Sequence, residues 1–145
     1  MLASRAAKLG FPTIDRVFDC YSALAHSAEG LGGTLLLYSG LDAEGIAAAV
    51  ASNVAGAASL GLEENAERAK QALRAGVCDF VVNNLDEALR ILKNELRKHT
   101  VVSVCLIDKH KVAVKEAIER GVQPQIVAFP EPTLQERGAR LLDAT

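Results

Sequence analysis

The chain has 145 residues, half of them hydrophobic and 23% charged, with a formal net charge of −2; this balance excludes a disordered or fibrous chain and fits one folded domain. With no excess of positive charge, 4% aromatic residues and no Trp, it offers neither the electrostatic footprint nor the stacking platforms of a nucleic-acid binder. No run reaches the roughly 20 apolar residues of a membrane span, since Ser52 and Asn53 interrupt the Ala-rich stretch 46–60.

The elements follow in chain order. Residues 1–30 read as an N-terminal helical extension: Thr13 caps a helix over 14–28, whose stripe Ile14, Val17, Phe18, Tyr21, Leu24 and Ala25 repeats at steps of three and four. Gly30, Gly32 and Gly33 stop it. The core, 31–129, opens with an apolar run, 34–39, the pattern of a strand covered on both faces. Gly40 ends that strand, and a helix rich in small residues follows over 42–57. The alternation then repeats, with strand 59–63, helix 65–75 capped by Asn65, strand 79–82, and helix 85–98 capped by Asn83 or Asn84. Strand 101–107, helix 108–120 capped by Asp108, and strand 126–129 complete the core. A C-terminal helix over 133–142, within 130–145, closes the chain. This order predicts an α/β, Rossmann-like three-layer domain with a parallel sheet of about five strands, right-handed crossovers and helices on both faces.

Cys20, Cys78 and Cys105 lack metal-ligand spacing. Their odd number points to reduced, buried thiols in a cytoplasmic setting. His26 and His99 have no metal partner at i+4, so no metal site is expected. No Ser-His-Asp order, paired-carboxylate motif or P-loop lysine is present, and no catalytic residue is assigned.

Ligands of open parallel sheets collect at the carboxyl ends of the strands, which nominates three loops. The turn 39–45 carries Gly40 and Gly45 where backbone would approach a phosphate; alternatively it is a plain strand-to-helix turn capped by Asp42. Glu63 ends the second strand about 20 residues further on, the offset of an acid that binds ribose hydroxyls, or else it is a solvated loop acid. The loop 108–111 brings Lys109, His110 and Lys111 to a helix start, as a ligand contact or as a solvated face.

The blocks Leu35-Leu36-Leu37-Tyr38-Ser39-Gly40-Leu41, Ala43-Glu44-Gly45, and Ala51 through Leu60 resemble the Rossmann-like insert of urocanase. So do Asn84-Leu85-Asp86-Glu87-Ala88-Leu89, Val102 through Leu106, and Glu119 through Val127, all in the order of that insert and together spanning about 31–129. The resemblance implies a tightly bound NAD. It places Ala43, Glu44 and Gly45 at the phosphate turn, Glu63 at the ribose acid, Arg68 at an arginine following it, and Lys109 and His110 at a further cofactor loop. Asp42, Ala43, Glu44 and Ile46 break the glycine-rich run found there in the family, Lys109 and His110 replace a small neutral pair, and Pro130-Glu131-Pro132 replaces a polar stretch. None of the three cysteines matches the family's catalytic cysteine, and the flanking catalytic core has no counterpart in these residues. Two expectations follow. One is a urocanase-like Rossmann domain that binds a nucleotide, with NAD as the implied cofactor, and that pairs with itself or with another protein. The other is a non-catalytic interaction module that has lost the cofactor.

Overall fold

The computed structural model describes residues 9–25 and 31–144. His26, Gly30 and the expected last turn of the first helix lie outside the described residues. The elements run α1 (Ile14–Ala25), β1 (Leu35–Ser39), α2 (Ala43–Val54), β2 (Ala58–Glu63), α3 (Ala66–Arg74), β3 (Phe80–Val82) and α4 (Leu85–Arg97), followed by β4 (Ser103–Ile107), α5 (His110–Glu119), β5 (Ile126–Val127), α6 (Pro132–Glu136) and β6 (Arg140–Leu141). The sheet has six strands in the order β3-β4-β2-β1-β5-β6, and every pairing is parallel.

Alternation along each strand builds two cores. In β1, Leu36 and Tyr38 face the layer of α1, α2 and α3, while Leu35 and Leu37 face that of α4, α5 and α6. Each leucine so buried contributes about 2 kcal/mol, which is why a continuous apolar run marks a strand covered on both sides. The chain steps from β1 to β2 and on to β3 with α2 and α3 on one face. It returns to β4, and crosses to β5 and β6, with α4, α5 and α6 on the other. Reversing both the direction of travel and the face preserves a single crossover hand, as a right-twisted parallel sheet requires.

Crossing to the far side of β1 creates a switch point between β1 and β5, where the carboxyl-end turns splay apart. The middle of the sheet is set by one glycine. Tyr38, Gly61 and Cys105 lie in register across β1, β2 and β4, and the Tyr38 ring occupies the space that a Cβ on Gly61 would need. The ring is fully buried, with its hydroxyl 3.8 Å from Cys78 Sγ.

The cap assignments hold for four helices. Thr13 Oγ1 accepts from the Arg16 amide, and Asp42, Asn65 and Asn84 cap α2, α3 and α4. Asp108 is not the cap of α5. That position is held by Lys109, which makes no side-chain cap bond, because the Asp108 carboxylate is turned back onto the Lys109 amide. The expected C-terminal helix is also corrected. Gly138 adopts a φ of 113° and ends α6 early, after which Arg140 and Leu142 donate to the Gln125 and Val127 carbonyls and add the sixth strand. All three cysteines are free and buried.

Candidate functional site

The three nominated turns share one rim. The Gly40 amide donates to the Leu62 carbonyl at 2.7 Å, and the Asp108 amide to the Glu63 carbonyl at 3.1 Å. Ser39 Oγ lies 2.7 Å from His110 Nδ1, so the end of β1 touches the start of α5. The His110 ring stands edge-on to Phe129 with centroids 4.9 Å apart. Gly40, Ala43, Glu44, Gly45, Glu63, Arg68, Lys109 and His110 all fall on this rim or in the first turn of a helix starting from it.

Within the rim, the acids engage the protein itself. Glu63, at 4% exposure, accepts from the Leu41 amide through Oε1 and from the Asn65 amide through Oε2, both at 2.8 Å. Arg68 stands 3.6 Å from the same Oε1. Asp42 Oδ1 accepts from the Gly45 amide at 2.8 Å. A Cβ on Gly45 would overlap the Gly40 carbonyl, so glycine is demanded there by the tightness of the turn.

Glu44 is held from outside the turn. Arg16, on α1, grips both its carboxylate oxygens, with its Nη2 2.8 Å from Oε2, and its Nη1 donates to the Ala144 carbonyl. The hydrogen bond to Glu44 raises the Arg16 pKa. Sequence spacing did not single out Arg16: it sits in an amphipathic helix 28 residues from its partner, and only the packing of α1 on α2 brings them together. Ser39 and Phe129 were likewise not assigned site roles. Beside this pair is a cavity of about 330 Å³ whose wall includes Arg16, Ser39, Asp42, Glu44 and Asp143. Cys20 also lines it, and burial pushes that thiol's pKa up, which keeps it protonated and a poor nucleophile.

The opposite side of the rim carries cations beside one acid, the Asp108 carboxylate on the Lys109 amide. α5 begins with Lys109, His110 and Lys111, has no acid in its first turn and no side-chain cap, although cations are disfavoured at the positive end of a helix dipole. Among the described residues no group of three His, Cys, Asp or Glu side chains could hold a metal ion, and no helix is long and apolar enough to cross a membrane.

A model of the urocanase Rossmann-like domain matches residues 13–129, from α1 to the end of the β5 turn. The chain belongs to the urocanase family, through its Rossmann-like domain. Domains of this family are associated with NAD, so the urocanase turn of this chain can be tested for its fit to a diphosphate. It does not fit. Of the amides that would cradle the phosphates, Leu41 and Gly45 are already taken by Glu63 and Asp42, and two carboxylates, Asp42 and Glu44, flank those that remain. A helix N-terminus favours an anion by about 0.3–2 kcal/mol. One carboxylate 4 Å from a phosphate charge opposes it by about 1 kcal/mol in bulk water and about 4 kcal/mol near a protein surface. Arg16 offsets the Glu44 charge, so the opposition rests on Asp42, whose repulsion near a protein surface exceeds what the helix end contributes.

Proposed function

We propose that this urocanase-type Rossmann domain works as an interaction module that holds no dinucleotide at its glycine turn. The observation carrying this reading is the pair of bonds Asp42 Oδ1 to the Gly45 amide and Glu63 Oε1 to the Leu41 amide, in which the protein's own carboxylates stand where phosphate oxygens would. Support for the interaction role comes from α1 and the residues before it, where Phe11, Ile14 and Phe18 are 61%, 87% and 63% exposed. Aromatic and aliphatic side chains so presented along one helix face are typical of a surface that a partner covers. In this reading the rim bonds serve to hold the turns together.

The test is a thermal-shift panel with NAD, NADP, ADP, AMP and pyrophosphate at millimolar concentration, since any ligand of the native state raises the melting temperature by linkage. The reading expects no rise with any of them. A rise with NAD that is unchanged in Lys109→Ala would overturn it.

A second reading is favoured by one observation, the uncapped start of α5 with Lys109, His110 and Lys111. There a mononucleotide or phosphate would bind on the α5 side of the rim, with Ser39 and His110 as its polar partners. That reading expects the panel to respond to phosphates in the wild type and to lose the response in Lys109→Ala.

A further inference from the structure

Two surfaces of this domain are unaccounted for by the rim, and they complement each other. The first is the outer face of α1. Ile14 and Phe18 stand one turn apart and largely exposed, with Phe11 just before them, and the exposed carboxylates Asp15 and Asp19 lie beside them at the same one-turn spacing. The second is a groove of about 370 Å³ between α4 and the turn that follows α5, floored by Leu89, Leu92, Leu96 and Val122 and edged by Lys93 and Arg120. Arg120 is anchored by Asp86 at 2.6 Å, yet its side chain is 44% exposed.

We infer that the groove receives the α1 ridge of a second copy of this chain. An apolar ridge edged by the exposed Asp15 meets an apolar floor edged by the exposed Lys93, while Asp19 lies 3.9 Å from Arg16 and Arg120 is bonded to Asp86 within each copy; leucines at helical spacing receive side chains one turn apart. Opposite charges at the edge fix the orientation and suppress wrong partners. The chain's formal net charge of −2 adds little repulsion between copies.

The geometry also sets the kind of assembly. α1 belongs to one layer of helices, α4 and α5 to the other, so ridge and groove lie on opposite faces of the sheet. Two copies cannot use both contacts reciprocally. The contact is therefore heterologous, and it builds an open chain or a ring rather than a closed dimer. This inference names a partner for the interaction module proposed above and rests on that reading. It fails or stands by the state of association, whereas the nucleotide panel reads the glycine turn.

Sedimentation velocity over a wide concentration range tests it with three proteins: wild type, the ridge variant Ile14→Asp/Phe18→Asp, and the groove variant Lys93→Glu. The altered side chains are exposed, and circular dichroism verifies that both variants fold. Wild type is expected to grow beyond a dimer with concentration and to shrink as salt rises. Each variant alone stays monomeric. Mixing the two gives a discrete one-to-one complex, because one retains its groove and the other its ridge. Three results would overturn the inference: a monomeric wild type at every concentration, a groove variant that associates as well as wild type, which would mean that ridge meets ridge, or two variants that ignore each other when mixed.

Discussion

The Glu63 carboxylate reaches back to the Leu41 amide at 2.8 Å, so the end of β2 holds the turn that leaves β1. Glu63→Ala removes the acceptor for two amides, Leu41 and Asn65. The expected loss is about 2–4 kcal/mol, read as a lower urea midpoint with an unchanged slope. Glu63→Gln keeps one acceptor and should cost about 1–2 kcal/mol. A loss of less than about half a kcal/mol for the alanine variant would make the bond incidental.

Gly61 is required by its neighbour across the sheet. A Cβ there would overlap the Tyr38 ring, and because Tyr38 is fully buried the ring has nowhere to swing. Gly61→Ala should cost about 3 kcal/mol, an overpacking penalty. In a Tyr38→Ala background the same change should be nearly neutral. That coupling is measured by the double-mutant cycle.

These two positions show what could be read from the chain before the fold was known. The strands were legible because both faces of the sheet are covered, leaving apolar runs such as 34–39 bounded by glycines. Thr13, Asp42 and Asn65 were legible as caps, and Asn84 as one of two candidates, because short polar side chains at helix starts satisfy the first amides there; Asp108 shows that such a side chain can bond its neighbour's amide instead. The first strand of the sheet could be found, but not the lie of Tyr38 over Gly61, which depends on strand order. β6 was missed because Leu134, Leu141 and Leu142 also suit a helical spacing, and the choice is made by Gly138 and by the open edge of β5. Of the site, the rim positions were legible from the strand ends. The Arg16 to Glu44 pair was not, since it is made by helix packing.

Alkaline pH should weaken the fold through Tyr38. Burial raises its pKa well above the ordinary value of 10.0, so the native state keeps the proton that the unfolded chain releases. Above pH 10 the unfolded state binds fewer protons, and stability falls as pH rises. Below pH 10 this contribution is fully present. Urea midpoints at pH 8 and at pH 10.5 should therefore differ more in wild type than in Tyr38→Phe. Equal differences would show that the hydroxyl ionises as freely in the native state as in the unfolded chain.

Restoring glycine at the turn should change its ligand preference. Asp42→Gly with Glu44→Gly removes the cap of α2, costing a few tenths of a kcal/mol, adds about 1 kcal/mol for a glycine in the helix, frees Arg16 from Glu44, and removes the Asp42 carboxylate that opposes a diphosphate. NAD or pyrophosphate should then raise the melting temperature of the double variant while leaving wild type unmoved. If neither protein responds, something other than charge at the turn keeps the dinucleotide out.

The most direct measurement is a ¹⁵N-resolved NMR titration of the wild-type domain with pyrophosphate, followed at the Leu41 and Gly45 amides. With Glu63 and Asp42 holding those two protons, both resonances should stay in place up to millimolar ligand. A saturable shift of both, at the same midpoint, would mean that a phosphate displaces the carboxylates and that the turn is an anion site after all.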